Sequence, residues 1–253
     1  MPAKHLEVLF TPAEFECLGQ RDLGESECVV IDVLRATSSM VTALANGAAS
    51  IIPVAEIAEA LAWRQRDRRI LLAGERHGIR IEAEITGGLP FDFGNSPREF
   101  AAELVGGKRI VMTTTNGTRA LHACRQSRSV LIASFLNLKA TVKYLRTSNV
   151  PNLILVCGGT YEEAAYEDIL CAGAIVDFLA EKTIELADSA LAARQLYRMQ
   201  RHNLRAGLSQ SRNGRRLLEQ PDLRDDVAFC AGLDQTSIVA GFDKQGRIVT
   251  ITK

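Results

Sequence analysis

Several signals that would place this chain in a common functional class are missing. No hydrophobic run approaches the roughly 20 residues that a membrane-spanning helix needs, and the opening residues MPAKHLEVLF lead into a short strand pattern rather than a basic and then apolar leader. The chain has 30 basic and 30 acidic residues, so its net charge gives no reason to expect binding to nucleic acid or to an anionic membrane. There is no GxxxxGK loop of the kind that binds nucleotide phosphates.

The cysteine pattern argues against a zinc-binding module. None of the six cysteines belongs to a C-x-x-C pair, and several lie in apolar runs such as LILVCGG and DILCAGAIV. Free, buried thiols are the expected state, and a reducing cytoplasm is the expected location.

Short apolar runs alternate with helical patterns over the first 160 residues. Several of these runs are apolar on both faces, as in a sheet that is covered on both sides. The strand patterns are LEVLF, ECVVIDVL, ASIIPV, RILLAGE, RIVMTTT, SVLIAS and NLILVCGG. Between them, TSSMVTALANG starts with hydroxyl residues suited to helix capping and ends at Gly47. This order predicts an α/β protein with three layers, α/β/α, and a mostly parallel sheet.

The rhythm changes near residue 160. Residues 166–220 have helical patterns that suggest about three helices, and they are followed by the strand patterns DVAFCAG, TSIVAGFD and RIVTIT. The last two are separated by DKQG, which predicts a hairpin. We expect residues 1–253 to form one compact domain with two sublobes that meet near residue 160, because no low-complexity linker separates them.

Polar residues follow the predicted strands at the points where they end. Asp32 follows VVI, Glu75 follows LLAG, and the run TTTNGT (113–118) follows RIVM. In open α/β sheets, ligands bind beyond the carboxyl ends of the strands. We therefore expect these residues to converge on one site, together with Asn137 and with Asn95 and Ser96 of the FDFGNSP loop.

Each of these features also has a purely structural interpretation. Asp32 could cap the next helix, and Arg35 could form an ion pair instead of clamping an oxyanion. The TTTNGT run could be a well-capped turn, although its four threonines exceed what a cap uses. In GNSP, Ser96 as N-cap and Pro97 as first helical residue explain the whole motif. Taken together, Asp32, Glu75, Glu167 and Asp168 offer enough hard oxygen ligands for Mg²⁺.

With these residues assembled, the chain resembles the 2-phosphosulfolactate phosphatase family. The ordered blocks that carry the resemblance are DVLRATSSMVTALANGA, GER, FDFGNSP, MTTTNGTRAL, ASFLN, VCGGT and YEDILCAG. The resemblance implies an α/β/α fold, a homodimer and a Mg²⁺-dependent phosphatase. Such an enzyme converts (2R)-2-phospho-3-sulfolactate into 3-sulfolactate and phosphate, a step of coenzyme M biosynthesis. The segment HGIRIEAEITGGLP departs from the family pattern, which leaves the substrate open, and Ala240 stands where a proline is expected.

Residues and resemblance together predict a site for a small anionic phospho-acid. Asp32, Arg35 and Glu75 are the predicted catalytic residues. The predicted substrate-binding residues are Thr37, Asn95, Ser96, Thr114, Thr115, Asn116, Gly117, Thr118 and Asn137. The predicted ligands of Mg²⁺ are Asp32, Glu75, Glu167 and Asp168. The nucleophile stays open between Asp32 and a metal-activated water, and a non-catalytic binder of a phosphorylated or sulfonated acid remains the alternative function.

Overall fold

The computed structural model describes residues 4–180 and 184–251, in which eleven strands form one sheet. The strands are β1 (Lys4–Leu9), β2 (Ser26–Ile31), β3 (Ser50–Pro53), β4 (Leu71–Arg76), β5 (Ile79–Arg80), β6 (Arg109–Thr113), β7 (Ser129–Ala133), β8 (Asn152–Cys157), β9 (Ile184–Leu186), β10 (Ala240–Phe242) and β11 (Ile248–Thr250). Their order in the sheet is β5-β4-β6-β3-β11-β10-β7-β2-β8-β1-β9.

Twelve α-helices occur in the same described ranges and pack around the sheet. They are α1 (Pro12–Glu16), α2 (Ala36–Ala45), α3 (Ile57–Arg66), α4 (Ala83–Thr86), α5 (Ala102–Val105), α6 (Gly117–Ala123), α7 (Leu138–Arg146), α8 (Tyr166–Leu179), α9 (Asp188–Gln200), α10 (Leu204–Gln210), α11 (Arg212–Leu218) and α12 (Arg224–Cys230).

The central strands are buried on both faces, which produces the three layers. In β2, Val29 and Ile31 belong to the core that contains α7 and α8, whereas Cys28 and Val30 belong to the core that contains α2 and α6. Successive side chains of a strand point to opposite faces, so a strand that is apolar throughout can fill two cores at once. The predicted α/β/α class with a mostly parallel sheet is confirmed.

The sheet consists of two parallel parts that run in opposite directions. Strands β4, β6 and β3 are mutually parallel, and so are β7, β2, β8, β1 and β9. The predicted hairpin of β10 and β11 lies between the two parts and pairs antiparallel with β7 on one side and β3 on the other. The C-terminal strands therefore complete the central sheet, and the described residues contain no second sheet.

The two parts share one hydrophobic core. Helix α2 contacts both β3 and β7, and one core cluster joins Val30 of β2 and Met112 of β6 to Met40 of α2 and Leu121 of α6. A twisted sheet that wraps around two helices can bring strand ends of opposite parts together. As a result, the carboxyl ends of β2 and β8 face the same cleft as those of β4 and β6.

Three local predictions differ from the structure. The run DVAFCAG is not a strand but belongs to helix α12, in which Asp226, Val227 and Cys230 face inward at helical spacing. Residues 166–220 contain four helices and the short strand β9 rather than three helices. The hydroxyls at the start of α2 do not cap it, because Arg35 is the N-cap residue.

The predicted C-terminal end of α2 and the GNSP turn are confirmed. Helix α2 ends at Ala45, and Gly47 follows with φ of +90°, a conformation that favours glycine after a helix. Pro97 opens a short 3₁₀ turn, and the N–H of Ser96 donates to Glu99 Oε1 at 3.3 Å. No helix within residues 4–180 and 184–251 is long and apolar enough to cross a lipid bilayer.

Candidate active site

A cleft lies where the loops that follow β2, β4, β6 and β8 meet helix α11. Its walls are formed by Asp32, Leu34, Arg35, Glu75, His77, Gly78, Asn95, Thr115, Asn116, Gly159, Thr160, Tyr161, Asn213 and Arg216. Six residues predicted for the site are among them, namely Asp32, Arg35, Glu75, Asn95, Thr115 and Asn116. Loops that are far apart in the chain therefore converge as the sequence predicts.

Asp32 is the first residue after β2 and is almost completely buried at the cleft wall. Its Oδ1 accepts the N–H of Ala36 at 3.1 Å. Burial is the main cause that raises the pKa of Asp32 to about 7, and the negative charges of Glu167 and Glu75 add to it. Asp32 therefore lies in a region where an added positive charge would be stabilised.

Glycines give Asp32 the room that it occupies. A Cβ atom on Gly117 would lie 2.8 Å from Asp32 Oδ2, and one on Gly158 would lie 3.2 Å from the same oxygen. Side chains at these positions would press on the carboxylate. The glycine of TTTNGT thus contributes to the site through the space it leaves open beside Asp32.

Glu75 and Asp168 join loops through main-chain hydrogen bonds. Glu75 accepts the N–H of Thr115 at Oε1 (2.7 Å) and that of Gly78 at Oε2 (2.6 Å). Asp168 accepts the N–H of Val33 at Oδ1 (2.7 Å) and that of Gly159 at Oδ2 (3.1 Å). Each carboxylate therefore holds two of the loops that shape the cleft.

Glu167 lies behind Asn213, next to the cleft. Asn213 Nδ2 donates to Glu167 Oε1 at 2.7 Å and to Thr160 Oγ1 at 2.7 Å. Glu167 Oε2 is buried and has no hydrogen-bond partner in the described parts of the chain. Burial is the main cause that raises the pKa of Glu167, so this carboxyl also lies where a cation would be favoured.

Arg35 forms an ion pair, but its partner is not Asp32. Its Nη1 donates to Asp226 Oδ2 at 2.7 Å, and its Nη2 donates to the carbonyl oxygen of Gly78 at 2.7 Å. Asp226 Oδ1 also accepts Ser96 Oγ–H and Arg98 Nε–H, each at 2.7 Å. The charge of Arg35 is thus largely compensated, although its side chain still forms part of the cleft wall.

The TTTNGT run divides its residues between two roles. Thr114 and Thr118 bond to each other, because the N–H of Thr118 donates to Thr114 Oγ1 (3.2 Å) and Thr118 Oγ1 donates to the carbonyl of Thr114 (2.8 Å). Thr115 and Asn116 face the cleft. Asn116 Nδ2 donates to the carbonyl of Gly159 at 3.0 Å, so the amide oxygen of Asn116 points away from Gly159.

Three other predicted substrate-binding residues lie outside the cleft lining. Thr37 Oγ1 bonds to the main chain of Asp32 and to the carbonyl of Ala133. Ser96 is bonded to Asp226. Asn137 is fully buried, where its Oδ1 accepts the N–H of Ser134 at 3.0 Å. Their polar groups already have partners, so in this structure they support the loops rather than face a ligand.

Several polar atoms around the cleft lack a partner. Buried atoms without a hydrogen bond in residues 4–180 and 184–251 include Asn95 Oδ1, Thr115 Oγ1, Asn116 Oδ1, Glu167 Oε2 and Arg216 Nε. Such atoms are rare in folded proteins because burying them unpaired costs free energy. Their concentration around one cleft indicates a ligand that supplies both a positive charge and oxyanions.

Backbone strain also concentrates at the cleft. His77 and Tyr161 line the cleft, and both have φ of +56°, a backbone conformation that residues other than glycine rarely adopt. Residues held in this region are found preferentially at binding and catalytic sites.

Sequence reasoning missed several side chains that build the site, among them His77, Asn213, Arg216 and Asp226. Asn213 and Arg216 are three residues apart on one helix face, a spacing that could have indicated a shared role. Asp226 had a signal as well, since it precedes Val227 and Cys230 at helical rather than strand spacing.

The carboxylates do not form a complete metal cage by themselves. Within the described part of the chain, no three His, Cys, Asp or Glu side chains are arranged to hold a metal ion. Magnesium sites commonly use one or two carboxylates together with water and substrate phosphate, so a dedicated all-protein cage is not what this ion requires.

Comparison with known proteins points to one family. A sequence profile of the 2-phosphosulpholactate phosphatase family matches residues 16–245. Proteins named probable 2-phosphosulfolactate phosphatase include one from Pseudothermotoga lettingae, 42% identical over 238 residues (94% of this chain and 95% of the relative), and one from Caldanaerobacter subterraneus subsp. tengcongensis, 40% identical over 234 residues (91% and 93%). A third, from Thermotoga maritima, is 41% identical over 206 residues (81% and 84%). This protein therefore belongs to the 2-phosphosulpholactate phosphatase family.

Proposed function

We propose that this protein hydrolyses 2-phosphosulfolactate, or a closely related small phospho-acid, to 3-sulfolactate and phosphate, with Mg²⁺ as cofactor. The family is one of phosphoric monoester hydrolases. The observation that supports the proposal most directly is the set of unpaired polar atoms around the cleft beside the buried Asp32. A divalent cation would bind the unpaired oxygen atoms, and the oxygens of a phosphorylated acid would accept from the unpaired N–H and O–H groups.

The unpaired atoms fit a cation and an anion together. The amide oxygen of Asn116 can only accept, so it suits a metal ion. Arg216 Nε and the Thr115 hydroxyl can donate to phosphoryl or acid oxygens. A metal-bound anionic substrate would supply a cation for the first set and oxygen acceptors for the second.

Asp32 and Glu167, with the amide oxygens of Asn95 and Asn116, are the residues that would hold Mg²⁺. They offer oxygen atoms, and the mutual repulsion of the two carboxylates would be relieved by the ion. When bound, Mg²⁺ neutralises charge on phosphoryl oxygens and orients the reacting groups. Glu75 and Asp168 already accept main-chain N–H groups at both oxygens, so we assign them to the walls of the site, and their role as metal ligands stays a prediction.

Asp32 is the carboxylate that we place at the reacting phosphorus. By one route its oxygen forms a bond to phosphorus, the bond to the C2 oxygen of the substrate breaks, and water then hydrolyses the aspartyl phosphate. By the other route Asp32 removes a proton from the attacking water. Rapid quench with ³²P-labelled substrate separates them, because only the first route labels the protein within one turnover.

A panel of small phosphate esters tests the proposed function. The panel is 2-phosphosulfolactate, 2-phospholactate and 2-phosphoglycerate, each with Mg²⁺ and with chelator. We expect phosphate release that is fastest from 2-phosphosulfolactate and that stops in chelator. Binding of 2-phosphosulfolactate without release of phosphate at saturating Mg²⁺ would instead establish the non-catalytic binder.

A homodimer and a cytoplasmic location complete the proposal. The homodimer rests on the family resemblance, and the location rests on six cysteines that are all free thiols. Light scattering on the purified protein tests the dimer, since a mass near 27.6 kDa would contradict it.

A further inference from the structure

We propose that Arg216 recognises the sulfonate of the substrate and so sets the preference for 2-phosphosulfolactate over phospho-acids that lack a sulfonate. This inference rests on the proposed function, because it concerns the group of the proposed substrate that one residue of the same cleft binds. Arg216 lies on α11, which none of the predicted site residues belongs to.

The first reason is the unsatisfied guanidinium of Arg216. Its Nε is buried and has no hydrogen-bond partner within residues 4–180 and 184–251, and no carboxylate of those residues forms an ion pair with it. A buried donor of a charged group is costly when it is left unpaired. The cleft that Arg216 lines is the place from which an anionic partner can arrive.

The second reason is the contrast with the other arginines nearby. Arg35 lines the same cleft, but Asp226 and the carbonyl of Gly78 already occupy its guanidinium. On α11, Arg212 pairs with Glu163, and Arg215 donates to the carbonyl of Gln210. Arg216 is thus the arginine of this helix that is directed to the cleft and left available for a ligand.

The third reason is the close packing that places Arg216. A Cβ on Gly78 would lie 3.3 Å from Arg216 Nη2 and 3.5 Å from its Cζ, so the guanidinium lies against a residue without a side chain. One helical turn away, Asn213 is fixed by Glu167 and Thr160. The guanidinium is therefore placed between the β4–β5 turn and α11 rather than free in solvent.

The chemistry of the substrate matches this placement. Arg216 lines the same cleft as Asp32 and Asn116, and its guanidinium packs against Gly78. A sulfonate keeps its negative charge at all physiological pH values and offers three oxygens to the Nε and Nη donors of a guanidinium. Lysine has the charge but not the planar pair of donors, so it should replace arginine only in part.

Paired substrates test the proposal. 2-Phospholactate keeps the phosphate and the carboxylate but has hydrogen where 2-phosphosulfolactate has the sulfonate. For Arg216→Gln we expect the preference, expressed as the ratio of the two kcat/KM values, to fall about tenfold to a hundredfold, the usual effect of losing a charge-assisted hydrogen bond. Arg216→Lys should retain part of the preference, and the matched control Arg215→Gln should retain the wild-type ratio.

Two results would overturn the inference. An equal fall in kcat/KM for both substrates would mean that Arg216 binds the shared phosphate or carboxylate. Unchanged kcat/KM values for both would mean that Arg216 does not contact the sulfonate. If the wild-type protein hydrolyses neither substrate, the proposed function fails, and calorimetric titration with 3-sulfolactate and with lactate then decides the inference alone. In that case equal binding of 3-sulfolactate to wild type and Arg216→Gln would overturn it, whereas selective loss in the variant would support it.

Discussion

Arg35 Nη1 lies 2.7 Å from Asp226 Oδ2 although the two residues are 191 positions apart, and both side chains are buried. The same carboxylate accepts Ser96 and Arg98, so one aspartate joins the loop after β2, the GNSP turn and helix α12. This pair keeps a cationic side chain in the cleft wall without leaving its charge uncompensated.

Replacement of Asp226 tests the structural importance of this pair. We expect Asp226→Asn to lower the free energy of unfolding by about 3–5 kcal/mol, because it leaves the buried Arg35 without its counter-ion. Urea denaturation followed by circular dichroism measures the change. Asp225→Asn is the matched control, since Asp225 is exposed and adjacent. Equal midpoints for the two variants would show that Asp226 does not stabilise the fold in this way.

Asp32 carries the chemical step in either proposed route. We expect Asp32→Asn to lower kcat for the best substrate of the phosphate ester panel by more than about 10³-fold, as is usual when a reacting group is removed. Asp22→Asn, at an exposed position, is the control and should keep the wild-type kcat. A kcat for Asp32→Asn within tenfold of wild type, in a variant with wild-type circular dichroism, would remove Asp32 from the mechanism.

The close packing of Gly117 beside Asp32 predicts that a methyl group added at Gly117 impairs both catalysis and stability. A Cβ on Gly117 would lie 2.6 Å from the Cβ of Ala36 and 2.8 Å from Asp32 Oδ2, so the loops must shift to accept it. We expect Gly117→Ala to reduce kcat/KM at least tenfold and to cost about 1–3 kcal/mol of stability. Gly19→Ala is the control, because no other atom lies within 4 Å of the added Cβ. Wild-type kinetics in Gly117→Ala would contradict the assigned packing.

The ion pairs between α8 and α9 predict a pH-dependent part of the stability. Partial burial alone raises the pKa of Asp177, but hydrogen bonds from Arg194 (2.9 Å) and Arg198 (2.7 Å) outweigh it, and the net pKa is below the ordinary value. A depressed carboxyl pKa stabilises the fold above the unfolded-state value near 4, and this contribution is lost as the pH falls through the folded-state pKa.

Asp177→Asn should therefore be less stable than wild type by about 1 kcal/mol at pH 7, and the difference should vanish below about pH 3. Urea unfolding at a series of pH values measures it. The exposed Glu185→Gln serves as a control for the general loss of one negative charge. A difference that persists undiminished at pH 3 would rule out the ion pairs as its source.

Local patterns predicted much of the fold. Apolar runs predicted seven of the eight strands described before residue 160, all except the two-residue β5. DKQG predicted the hairpin of β10 and β11, and GNSP predicted its capped turn. Helix α12 was missed because a short apolar run such as DVAFCAG fits either a strand or one face of a helix. Periodicity cannot separate these two possibilities over seven residues, and packing against the core decided between them.

The sequence by itself determined that Asp32, Glu75, Thr115 and Asn116 end strands or follow them, because strand ends and turn residues depend on neighbours in the chain. Only the tertiary structure decided that two oppositely directed parts of the sheet share one core with α2 and α6 and bring these residues to one cleft. It also decided that Asp226 neutralises Arg35 while Arg216 stays available to a ligand. Partners separated by more than a hundred residues leave no periodic signal, since their contact depends on how the whole sheet twists.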